Sequence, residues 1–125
     1  MSTSPNIGLP FLAAQQLQPE ITHNEAILLL QLMQVGVISS GSNTAPGSPT
    51  DGDSYIVGSS PTGAWGGRAN TLAIYYNGSW RFVPDRNSSG TVIAMGTIHE
   101  GLMVWNRALN AMMVWSGTAW ETKYF

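Results

Sequence analysis

The sequence predicts a mainly β protein in which an N-terminal extended segment and one short helix precede a small antiparallel β meander or sandwich. Three observations carry this expectation. From Tyr55 onward every apolar run is short, β-branched or aromatic, and bounded by glycine or asparagine, as strands joined by tight turns require. Asn77-Gly78, set between Leu72–Tyr76 and Ser79–Val83, supplies the two positive-φ residues of a type I′ turn, so Leu72–Val83 reads as a tight hairpin. One stretch, Thr22 to Gly36, has helical instead of alternating apolar spacing.

The helix carries its own start and stop. Thr22-His23-Asn24-Glu25 fits a capping box, in which the Thr22 hydroxyl accepts from the Glu25 N–H and the Glu25 carboxylate accepts from the Thr22 N–H. Pro19 limits any helix before it, and Gly36 ends it, because glycine enters the left-handed conformation without a Cβ penalty. Glu20, His23, Asn24, Gln31 and Gln34 fall on one polar stripe, which leaves an unusually wide apolar face. That face is covered either by the chain's own sheet or by a second body. We expect the second, with Ile27, Leu28, Leu29, Leu32, Met33 and Val35 as an oligomer or partner interface.

The remaining elements follow in order. Ser39 to Asp53, rich in Ser, Gly, Asn, Thr and Pro, reads as a connector. Strands are expected over 54–57, 72–76, 79–83, 91–98, 102–105, 111–115 and 119–124. The predicted organisation is therefore an anchoring segment with the helix over 1–38, a connector over 39–53 and an antiparallel β domain over 54–125. Ile74 to Trp80 and Met113 to Trp120 resemble each other, with a half-copy at Leu102 to Asn106, which suggests repeated aromatic hairpins.

Composition narrows the function. Only 10% of the 125 residues are charged, against a usual quarter, so much of the surface is expected to be buried in an assembly. The net charge is −2, and Arg68, Arg81, Arg86, Arg107 and Lys123 are scattered, which argues against nucleic-acid binding. There is no cysteine, so neither disulfides nor thiolate metal sites are available. Ala26 to Ile38 is too short to span a bilayer, which needs about 20 apolar residues. Met1 to Leu9 lacks the basic start of a signal peptide.

Candidate chemistry is sparse. Asp51-Gly52-Asp53 offers two carboxylates but lacks the further regularly spaced oxygen ligands of a calcium loop, and reads as a turn. His99-Glu100-Gly101 reads as a turn between strands, and no nucleophile motif accompanies His99. Gly63 to Arg68 lacks the phosphate-loop spacing and reads as a loop holding Trp65. We expect no catalytic residues, no metal and no cofactor. Aromatic residues beside turns are the remaining candidates, and Trp65, Tyr76, Trp105 and Trp115 are those expected to face a glycan if any do.

The motifs Leu9-Pro10-Phe11-Leu12, Thr22-His23-Asn24-Glu25-Ala26, Pro49 to Val57, Thr62-Gly63-Ala64-Trp65 and Gly78 to Pro84, in this order, resemble a domain-of-unknown-function family. Its members occur in phage, prophage and gene-transfer-agent proteins, mostly alphaproteobacterial, often in a tail-fibre or host-recognition context. The resemblance implies a non-enzymatic virion structural protein, a tail-fibre or baseplate subunit made in the bacterial host cytoplasm. It would assemble through its helix with itself, as a homotrimer, and with neighbouring virion proteins. A glycan-binding host-receptor module of a tail fibre or head spike is the alternative. A polysaccharide-cleaving enzyme is disfavoured because no carboxylate pair stands out.

Overall fold

The computed structural model describes residues 26–28, 30–32, 35–87 and 89–123. The capping box at Thr22, the residues Glu20, His23, Asn24 and Gln34 of the polar stripe, and the interface candidates Leu29 and Met33 lie outside them. Residues 26–28, 30–32 and 35 are helical. The Gly36 N–H closes the last turn on the Leu32 carbonyl at 3.0 Å, and Gly36 itself turns to φ +89°.

Seven strands follow: β1 Ser39–Ser42, β2 Ser54–Val57, β3 Leu72–Tyr76, β4 Ser79–Val83, β5 Met103–Asn106, β6 Ala111–Trp115 and β7 Trp120–Lys123. They form two sheets in sequential order, β1-β2-β3-β4 and β5-β6-β7. The β3–β4 hairpin has the predicted register, with Tyr76 opposite Ser79 and both Asn77 and Gly78 at positive φ. The second aromatic hairpin pairs Trp115 with Trp120 across a four-residue turn.

The sheets share one core. Ile56, Leu72 and Ile74 from the first meet Val104 and Met113 from the second, with Leu32 and Val37 joining them. Val37 stitches the sheets together through the backbone: its N–H donates to the Trp105 carbonyl and its carbonyl accepts from the Arg107 N–H, while the Ile38 N–H donates to the Ser54 carbonyl. A buried polar junction locks the same place. The Asn106 side chain, fully buried, donates to the Ser40 hydroxyl at 3.0 Å and accepts from the Leu109 N–H at 3.2 Å.

Four sequence expectations need correction. The 39–53 segment is not purely connector: Ser39–Ser42 is a strand, parallel to β2, so the first sheet is mixed and not all antiparallel. Edge pairing of this kind runs through backbone groups and leaves no apolar alternation to read. Residues 91–98 form no strand. Val92 makes an isolated bridge to Arg86, and Thr97–His99 is a 3-10 turn. Third, Gln31 is buried at 1% exposure instead of belonging to a solvated stripe, whereas Leu30 is 59% exposed. β5 and β7 each begin one residue later than expected.

Candidate functional site

The outer face of the first sheet is covered by its own loop. After β2 the chain passes through the 3-10 turn Gly63–Trp65 and lays Trp65 on the sheet at 0% exposure. Gly63 at φ +65° and Gly67 at φ +79° let this loop fold back. Trp65 packs edge-on against Trp80, with ring centroids 5.2 Å apart, and tilted against Tyr55 at 5.6 Å; Tyr75 meets Trp80 at 5.1 Å. Val57, Ala73 and Phe82 complete the cluster. The mostly buried Arg68 guanidinium lies 4.3 Å over the Phe82 ring and bonds Asp85 at 2.7 Å. Burial of the Tyr55 phenol, reinforced by Asp53 and opposed by Arg107, raises its pKa above the ordinary 10.0.

This arrangement corrects the expectation that Trp65 faces a ligand, because a ring of that size gains more from burial than from display. The same holds for Trp115, which is 2% exposed, donates its indole N–H to the Gly96 carbonyl at 2.9 Å and meets Trp120 edge-on at 5.6 Å. Tyr76 is half-buried, with the Arg81 guanidinium 5.7 Å from its ring centroid and bonded to its carbonyl. Trp105 is half-buried on the outer face of the second sheet, opposite Met112.

The interface candidates on the helix divide in two. Leu28 and Leu32, each 1% exposed, are buried within the chain itself, Leu32 in the core between the sheets. Those two side chains cannot serve a partner without opening the fold. Ile27 and Val35 are half-buried, and Leu30, which the sequence reading did not single out, carries the exposed apolar surface of the helix.

The polar candidates are committed to turns. Asp51 accepts from the Asn77 N–H and Asp53 from the Thr50 N–H, both at 2.9 Å, while the Gly52 N–H donates to the Tyr75 carbonyl. The Asp51-Gly52-Asp53 turn therefore buttresses the tip of the β3–β4 hairpin. His99 Nδ1 accepts from the Gly96 N–H at 3.1 Å, closing its own 3-10 turn. Among the described residues no group of three or more His, Cys, Asp or Glu could hold a metal ion, and no helix is long and apolar enough to cross a membrane.

Two open clefts flank the first sheet. One, of about 390 Å³, lies between Pro46, Pro49 and Thr62 on one side and Tyr75 and Trp80 on the other. The second, of about 370 Å³, runs between the β1 end of the first sheet and the β6–β7 turn of the second. Its lining includes Ser40, Asn43, Ser59, Asn70, Thr118 and Trp120, and contains no charged residue. Sequence reasoning missed this site because its polar residues come from three separate loops, each unremarkable in isolation.

The fold and its surface thus define a small two-sheet β protein with an internal aromatic layer and shallow, uncharged clefts. The chain belongs to the family described as Protein of unknown function (DUF2793), whose profile matches residues 23–121. No curated protein and no solved structure matches it.

Proposed function

We propose that this chain is a non-enzymatic structural subunit of a phage particle, placed in a tail fibre or baseplate and made in the cytoplasm of the bacterial host. The observation that carries this reading is the use made of the motif residues through which the sequence resembles virion proteins. Asp51 and Asp53 accept backbone N–H groups, Trp65 fills a core, and Gly78 closes a turn. The residues that could have done chemistry hold the fold in shape, as a scaffold subunit requires.

Low charge and exposed apolar side chains support assembly with other copies or with neighbouring virion proteins. Ile98 is 85% exposed, Leu30 59%, Met103 55% and Leu109 42%. On the helix the contact would run through Leu30 and Ile27, which lie three residues apart and so share a face, with Leu28 and Leu32 supporting it from beneath. A homotrimer is the assembly proposed.

Immunogold labelling of particles released from an induced host, with antibody raised against the chain, tests the reading. Label at the tail end is the expected result. A chain that stays in the soluble host fraction while label is missing from every particle would overturn it.

A further inference from the structure

The cleft between the β1 end of the first sheet and the β6–β7 turn is built from a fixed aromatic ring and uncommitted neutral polar groups. Trp120 packs on the shared core, and its indole N–H donates to the Asn70 carbonyl at 2.8 Å, which holds the ring in place between the two sheets. Asn43 sits against Gly58, where a Cβ would lie 2.2 Å from its Oδ1, so this glycine is what admits the amide. That Oδ1 accepts from the Ser60 N–H at 3.0 Å, leaving the amide nitrogen without a bond among the described residues. The Asn70 side chain, on a backbone at φ +64°, and the exposed Ser59 hydroxyl are likewise without one.

The lining restricts the ligand's chemistry. A charged ligand would lose hydration here without meeting a counter-charge. A purely apolar ligand would desolvate two amides and several hydroxyls without replacing their hydrogen bonds. A ring with an apolar C–H face and a rim of hydroxyls satisfies both the indole and the amides. The cleft volume of about 370 Å³ is at the small end of ligand sites, which span roughly 300–1,000 Å³.

From this geometry we propose that the cleft is a binding site for an uncharged hexopyranose, stacked on Trp120 and hydrogen-bonded by Asn43, Asn70 and Ser59. Trp120 is one of the aromatic residues beside turns in the sequence, but it lies outside the set Trp65, Tyr76, Trp105 and Trp115 expected to face a glycan. The site stands apart from the particle assignment, and finding the chain outside a particle would leave it intact.

Titration of the full chain with the methyl glycosides of glucose, galactose and mannose, followed by NMR at the Trp120 indole N–H, tests it. The expected result is a saturable shift with at least one glycoside, and none with the free uronic acid of the same sugar. Asn70→Gly keeps the positive φ and the carbonyl that holds Trp120 but deletes the amide, and should weaken binding by up to about tenfold. Ser59→Phe, at an exposed position, should fill the cleft and abolish the shift. Silence of the Trp120 resonance with all three glycosides, full binding by either folded variant, or a response confined to the Tyr75 and Trp80 cleft would overturn the proposal.

Discussion

A Cβ placed on Gly36 would lie 2.4 Å from the backbone carbonyl oxygen of Trp105. This glycine ends the helix at φ +89° and at the same point lets the chain approach β5 closely enough for the neighbouring Val37 N–H to reach that carbonyl at 2.8 Å. The Gly36 carbonyl in turn accepts from the buried Ser54 hydroxyl at 2.7 Å. One small residue therefore fixes the helix against both sheets.

Gly36→Ala should accordingly cost about 2–6 kcal/mol, combining left-handed strain with a clash against backbone that cannot swing away. Gly78→Ala, at φ +87° with nothing within 4 Å of the added Cβ, should cost only the strain, about 1–3 kcal/mol. Urea denaturation of the two variants measures the difference. Equal losses would mean that Gly36 matters only as a helix stop.

Trp65 and Trp115 are equally buried but differ in polar satisfaction. Trp115 Nε1 donates to Gly96, whereas the buried Trp65 Nε1 has no partner among the described residues. Replacement by Phe should therefore be milder at Trp65 by about 0.5–1.5 kcal/mol, since only Trp115→Phe deletes a hydrogen bond, the Gly96 carbonyl keeping its second donor, the His99 N–H. Trp65→Ala, which empties the site, should cost about 3–5 kcal/mol. Thermal melts of the three variants rank them.

On the helix, Leu32→Ala should destabilise the chain by about 2–5 kcal/mol because it opens a cavity in the core shared by the two sheets. Leu30→Ser should change stability by no more than about 0.5 kcal/mol. If the exposed side of the helix joins copies of the chain, Leu30→Ser should also lower the mass measured by light scattering. An unchanged assembly would remove the helix from the interface.

The raised Tyr55 pKa makes a prediction about alkali. The folded chain holds the phenolic proton more tightly than the unfolded chain does, so this contribution is fully present below pH 10.0 and is lost as pH rises from there through the folded value. Stability measured along an alkaline series should fall in that range, and the fall should be shallower in Tyr55→Phe. A Tyr55→Phe profile parallel to the parent would show that other groups dominate.

Local side-chain chemistry by itself determined the β3–β4 hairpin, the extents of β2, β3, β4 and β6, and the stop at Gly36. In each, a turn residue or an alternating apolar run acts within a few residues, so the signal lies in the sequence window that uses it. The strand at Ser39–Ser42 could not be read this way, because its serines and glycine contribute backbone pairing to β2 and no side-chain pattern. The wide apolar face of the helix was legible, but what covers it was not. Leu32 shares one core cluster with Ile56, Leu72 and Met113, which come from both sheets and are distant in sequence. Trp65 looked presentable beside its glycines, and only the return of the loop onto Tyr55, Ala73 and Trp80 buried it. The cleft at Trp120 is likewise a product of tertiary structure, since Asn43, Asn70 and Trp120 meet only when Val37 has joined the two sheets.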